Sequence, residues 1–145
     1  VAVYGLIALN AAVFARELAF ANAALRDAFV DAYAVIPFDV THGVQLPGPA
    51  PPTALTLLTS QFVHGSVLHI VSNMLFLAVF GPEIEHVTGS IRFVVLYLLC
   101  GVLGAIAQIS VMPGSHVPGI GASGAIAGVL GAYIVRFPLN AAATR

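Results

Sequence analysis

Two short patterns place polar groups inside otherwise apolar stretches of the chain. The first is His69-x-x-x-Asn73; a four-residue spacing stacks the two side chains on one face of a helix, where both can donate hydrogen bonds toward a single point. His64 lies five residues before His69, near the outer end of the same helix. The second pattern is Gly121-Ala122-Ser123-Gly124, at the start of another apolar segment. A serine that opens a helix sits among N–H groups without intrahelical acceptors and at the positive end of the helix dipole, which is the environment a developing oxyanion needs. Gly121 and Gly124 keep bulk away from the serine on both sides. Polar side chains inside a membrane span are costly and tend to mark packing contacts or function.

The elements that carry these residues are written for lipid. Of 145 residues, 59% are hydrophobic and 8% charged, with a mean hydropathy of +1.00, too little polar surface to wrap a soluble core of this size. Five arginines, no lysine and six acidic residues leave neither a basic face for nucleic acid nor an acidic tail. The single cysteine, Cys100, excludes an internal disulfide and a cysteine metal cluster and reads as a packed thiol.

The pattern predicts an all-α, polytopic transmembrane bundle. A first span covers about 1–15, starting at Val1 without a basic flank, as though its beginning lay further upstream. An outer loop covers about 16–52. Its first part, with Arg16, Glu17, Arg26, Asp27 and Asp31 among alanines and aromatics, suits an amphipathic surface helix, and from Pro37 to Pro52 its prolines and glycines forbid regular structure. The second span covers about 59–85, weakened near its end by Gly81-Pro82, the third about 91–111 and the fourth about 123–137. Arg92, Arg136 and Arg145 put the ends of spans two and four in the cytoplasm. With Arg136 at that interface, thirteen helical residues at ~1.5 Å each carry the chain only ~20 Å, so Ser123 falls ~10 Å short of the far side of a ~30 Å hydrocarbon core. Non-helical backbone at that depth requires a wet, protein-lined cavity. Gly124 and Gly128, with Gly131 beyond, form a small-residue stripe for close helix approach.

Taken together, His69-x-x-x-Asn73, the Gly121-Ala122-Ser123-Gly124 motif and the linking segment from Phe80-Gly81 through Glu85 to Gly89 resemble the rhomboid intramembrane serine proteases of bacterial type, over about Thr53 to Pro138. The resemblance implies Ser123 as the nucleophile, with His69, Asn73 and the backbone N–H of Ser123 stabilising the oxyanion. It implies supporting positions at Gly121, Gly124 and His64, and a structural acidic residue at Glu85 in the cytoplasmic turn. It implies no cofactor and no metal, transmembrane protein substrates, and a bacterial inner membrane with the site opening outward. Rhomboids take their catalytic histidine from a sixth helix, so four spans of six are expected here and residues 1–145 alone are expected to be inactive. The tryptophan and arginine pair frequent in the family's first outer loop has no counterpart, because the chain has no tryptophan.

Plainer readings compete. Ser123 alone would serve as a helix N-cap, although Ile126 rather than Glu or Gln occupies the capping-box position. His64 and His69, five apart, lie off a common helix face and are poorly spaced for metal. His42, His86 and His116 read as surface residues. A client-binding pseudoprotease and a transporter or channel fragment with a broken helix at Ser123 are the alternatives to hydrolysis.

Overall fold

The computed structural model describes residues 1–138, and among them the regular structure is entirely helical apart from one isolated bridge between Val35 and Gly119. Helix α1 (Ala2–Leu18) buries Val3, Leu6, Asn10, Phe14 and Glu17, a stripe repeating every three to four residues. Its first N–H groups, those of Ala2 and Val3, donate to the Glu85 carboxylate at 2.8 and 3.0 Å. Helix α2 (Ala23–Tyr33) is capped by the Asn22 side chain, which accepts from the Leu25 N–H at 3.0 Å. The short α3 (Pro37–His42) follows, then the single turn α4 (Thr56–Thr59).

Three longer helices complete the bundle. In α5 (Val67–Thr88) the Ser66 side chain accepts from the His69 N–H at 3.1 Å, and the helix ends at Gly89, whose φ of 84° turns the chain sharply back. Helix α6 (Ser90–Val111) returns, and α7 (Ser123–Arg136) descends beside it after an irregular approach. The core lies where α1, α5, α6 and α7 meet, built from Val3, Leu77, Phe93, Tyr97, Ala122, Ala125 and Val129. Helices α6 and α7 form the most extensive pair. Gly104 and Gly124 face each other backbone to backbone there, so a methyl group added to Gly104 would lie 3.0 Å from the Gly124 Cα.

The outer faces of α5 and α6 are apolar. Leu68, Val71, Leu75 and Val79 on α5, and Ile91, Val95, Leu99 and Leu103 on α6, point away from the core at helical spacing. Both helices are long and apolar enough to cross a membrane, while α7 is shorter at 14 residues.

Several element limits differ from the sequence reading for local reasons. Helix α1 runs to Leu18. The helix expected from about 59 begins at Val67, because a 3-10 turn at Ser60–Phe62 gives way to extended backbone at Val63 and the chain re-enters helix only behind the Ser66 cap. It also continues through Gly81-Pro82 to Thr88. The proline-rich stretch is not wholly irregular: Pro37 occupies the first turn of α3, where its fixed φ helps and its missing N–H costs nothing. Among the described residues Gly131 takes no part in helix packing, since none lies within 4 Å of where its side chain would be.

Candidate active site

The site is assembled at the start of α7. The approaching backbone is held on two sides, by the paired N–H···O bonds between Val35 and Gly119 at 3.0 and 2.8 Å and by the Gly121 N–H donating to the Ser60 carbonyl at 2.9 Å. Gly121 adopts a φ of +104°, a region side-chain-bearing residues avoid. Two residues later Ser123 is the first helical residue of α7, with buried Ala122 in the N-cap position and the Ser123 side chain exposed. The first intrahelical bond runs from the Ile126 N–H to the Ala122 carbonyl at 2.9 Å. The N–H groups of Ser123, Gly124 and Ala125 therefore have no intrahelical acceptor.

His69 and Asn73 converge on the same place from α5. A Cβ on Gly121 would lie 2.5 Å from His69 Nε2 and 3.4 Å from Asn73 Nδ2, so the two side chains fill the space left by the missing one. Asn73 is buried, and its Nδ2 has no hydrogen-bond partner among the described residues. A buried donor without an acceptor is costly and marks a place where an acceptor belongs.

His64 precedes α5 and is fully buried, its ring edge-on to that of His69 with centroids 5.0 Å apart. Burial, reinforced by neighbouring His69 and only partly opposed by the Phe62 carbonyl, lowers its pKa to about 4, so it is neutral at physiological pH. Gly124 lies at the site through its contact with α6. Glu85 does not lie there. It is sixteen residues beyond His69 on α5, ~24 Å along the axis, where it accepts from the start of α1 and from the Ser90 hydroxyl. The exposed His42 and His116 stack on the two faces of Phe38, with centroids 4.0 and 4.2 Å away, and the exposed His86 lies near the end of α5. Among the described residues no cluster of three His, Cys, Asp or Glu side chains is placed to hold a metal.

Behind Ser123 a cavity of about 120 Å³ is lined by Ser60, Gln61, Gln108 and the glycines 101, 104 and 124. Gln61 is buried across the space above Gly101, donating to the Leu57 and Leu98 carbonyls at 3.3 and 3.2 Å, and its Oε1 has no partner among the described residues. Sequence reasoning passed over Gln61 and Gln108. The signal was present for Gln108, an amide within the most apolar span, whereas Gln61 lies in a short 3-10 turn and its side chain is buried over Gly101 of α6.

The fold and site together define a helical membrane protein that carries a polar pocket around a serine at the head of a short internal helix. The chain belongs to the rhomboid family, whose Rhomboid domain matches residues 51–145. It is 41% identical over 78 residues to the Rhomboid protease GluP of Bacillus subtilis (strain 168), covering 54% of this chain and 15% of that protein. It is 35% identical over 84 residues to the mitochondrial RHOMBOID-like protein 6 of Arabidopsis thaliana, covering 58% of this chain and 27% of the relative. The mitochondrial Presenilin-associated rhomboid-like protein of Rattus norvegicus is 37% identical over 84 residues, with 57% and 22% covered. The chain thus corresponds to a minor part of each of these relatives. No solved structure matches it.

Proposed function

We propose that the protein containing this chain is an intramembrane serine endopeptidase that hydrolyses peptide bonds in or near transmembrane segments of other membrane proteins. The observation that carries this reading is the convergence of His69 Nε2 and the unpartnered Asn73 Nδ2 beside Gly121, two residues before the exposed Ser123. The Ser123 Oγ attacks the scissile carbonyl carbon. The carbonyl oxygen becomes an oxyanion held by Asn73, His69 and the N–H groups at the head of α7. A histidine outside residues 1–145 takes the hydroxyl proton and delivers it to the leaving amine, and a water molecule then cleaves the acyl-enzyme. At ~30 Å³ per molecule, the cavity beside Gln61 has room for a few waters, which supports a local supply at membrane depth.

No metal or organic cofactor enters this scheme. Its partners are the lipid bilayer and transmembrane substrates, and the chain lacks the charge for nucleic acid. Arg92 at the start of α6 and Arg136 at the end of α7 share one end of the bundle. Arg16 and Arg26 lie at the opposite end and balance them, so the orientation follows the family resemblance rather than loop charge: the Arg92 end is taken as cytoplasmic, with Ser123 opening toward the outer side of a bacterial inner membrane.

The test is cleavage of a transmembrane reporter by the full-length gene product in proteoliposomes. Ser123→Ala should abolish cleavage, and Asn73→Ala should lower kcat by about 10²-fold, the scale of one lost oxyanion donor. Cleavage that survives Ser123→Ala refutes the assignment. A wild-type protein that binds the reporter without cutting it indicates a client-binding pseudoprotease, and flux through the vesicles that is indifferent to Ser123→Ala indicates a transporter.

A further inference from the structure

Away from the serine, the outer end of α1 holds a charged residue that the scheme above does not use. Glu17 is fully buried in a chain with few charges. Desolvating a carboxylate costs several kcal/mol unless partners compensate for it, and the partners of Glu17 are specific. Its Oε1 accepts from the His64 N–H at 3.1 Å, and its Oε2, with no hydrogen-bond partner among the described residues, faces Arg26 Nη2 at 4.0 Å. Arg26 in turn donates to the carbonyl of the next residue, Gly65, at 3.1 Å. One carboxylate and one guanidinium, from α1 and α2, therefore grip consecutive residues of a single turn.

That turn touches both halves of the site. The His64 ring lies edge-on to the His69 ring. Ser66, one residue past the grip, holds the His69 N–H through its hydroxyl. Gly65 packs so closely on Ile120, the neighbour of Gly121, that an added Cβ would come within 3.3 Å of Ile120 Cδ1. Moving residues 64–66 would shift His69 relative to Gly121 and loosen the backbone that presents Ser123.

We propose that Glu17 and Arg26 are positioning residues for hydrolysis, which fix the 64–66 turn so that His64 and Ser66 hold His69 against Gly121. Neither residue reaches Ser123, and the role rests on the protease reading given above. Its effect belongs in the chemical step, because the turn orients an oxyanion donor.

The experiment is a double-mutant cycle in the full-length gene product, reading kcat and KM for a transmembrane reporter, the rate of Ser123 labelling by a fluorophosphonate, and Tm. Glu17→Ala should lower kcat and labelling about tenfold with KM within about twofold, and Glu17→Ala combined with Arg26→Ala should lose little more than either alone, since residues that hold one turn are not additive. Glu17→Gln keeps an oxygen for the His64 N–H and should retain most activity, while Arg26→Ala should resemble Glu17→Ala. If Glu17→Ala lowers Tm too far to assay, Arg26→Ala and Glu17→Gln carry the test. Undiminished kcat in Glu17→Ala, fully additive losses in the Glu17→Ala/Arg26→Ala double variant, or a loss that only follows Tm would each overturn the proposal while leaving the protease reading intact. Absence of Ser123-dependent labelling in the wild type would instead overturn both.

Discussion

Gly121 has two independent reasons to lack a side chain, and they make different demands on a substitution. Its φ of +104° strains any other residue by about 1–3 kcal/mol, and a Cβ would stand 2.5 Å from His69 Nε2. Gly121→Ala should therefore displace His69, lowering kcat at least about hundredfold, on the scale of a lost oxyanion donor. The same variant in a proteoliposome assay at wild-type activity would show that His69 can move aside freely. His64 supports a prediction of another kind. Its pKa in the folded protein is lowered to about 4, so between that value and the ordinary ~6.5 the unfolded chain binds more protons than the folded one. Stability therefore rises with pH across that window; it is complete above ~6.5 and is lost as pH falls toward 4. The contribution at stake is on the order of 3 kcal/mol. Wild-type Tm in detergent should fall between pH 7 and pH 5 more steeply than that of His64→Gln, and parallel slopes would place the pH sensitivity elsewhere.

At the scale of elements, small residues set how closely helices approach. An alanine methyl at 104 would lie 3.0 Å from the Gly124 Cα, where only backbone could give way, whereas position 131 faces open space. Gly104→Ala should cost about 1–3 kcal/mol as overpacking, and Gly131→Ala should be neutral or stabilising by up to about 1 kcal/mol because it removes a helical glycine. Comparing the two Tm shifts checks the packing, and equal shifts would contradict it. Gly124 is legible in the sequence because it follows the serine within a small-residue stripe, but the stripe alone does not reveal that Gly131 faces none of the described residues. The same division runs through the rest of the molecule. The apolar runs of α5 and α6, and the spacing of His69 and Asn73, are periodic properties that survive in one dimension. The break at 60–66, the grip of Glu17 on the His64 N–H and the burial of Gln61 depend on contacts between segments distant in sequence. No local pattern encodes them, and Glu17 in particular reads as one more charge on an amphipathic stretch.

At the scale of the whole molecule, the proposed mechanism takes its nucleophile and oxyanion donors from the described bundle and its base from outside it. His64 is buried with its Nε2 unpartnered among the described residues, and His69 has its Nε2 against Gly121. The proposal follows the family resemblance in assigning His69 to the oxyanion and the base to a later helix. Residues 1–145 produced alone in membranes should therefore fail to label with a fluorophosphonate at Ser123, while the full-length gene product labels. The comparison needs proof that the shorter chain has folded, and Cys100 provides it. Its thiol packs against Gly128 between α6 and α7, so maleimide should modify it slowly in the native bundle and rapidly in denaturant. Slow modification with no labelling indicates a folded bundle that lacks its base. Slow modification with full-rate labelling would mean that a histidine within residues 1–145 can activate Ser123, and His69 would then have to be reassigned from oxyanion donor to base.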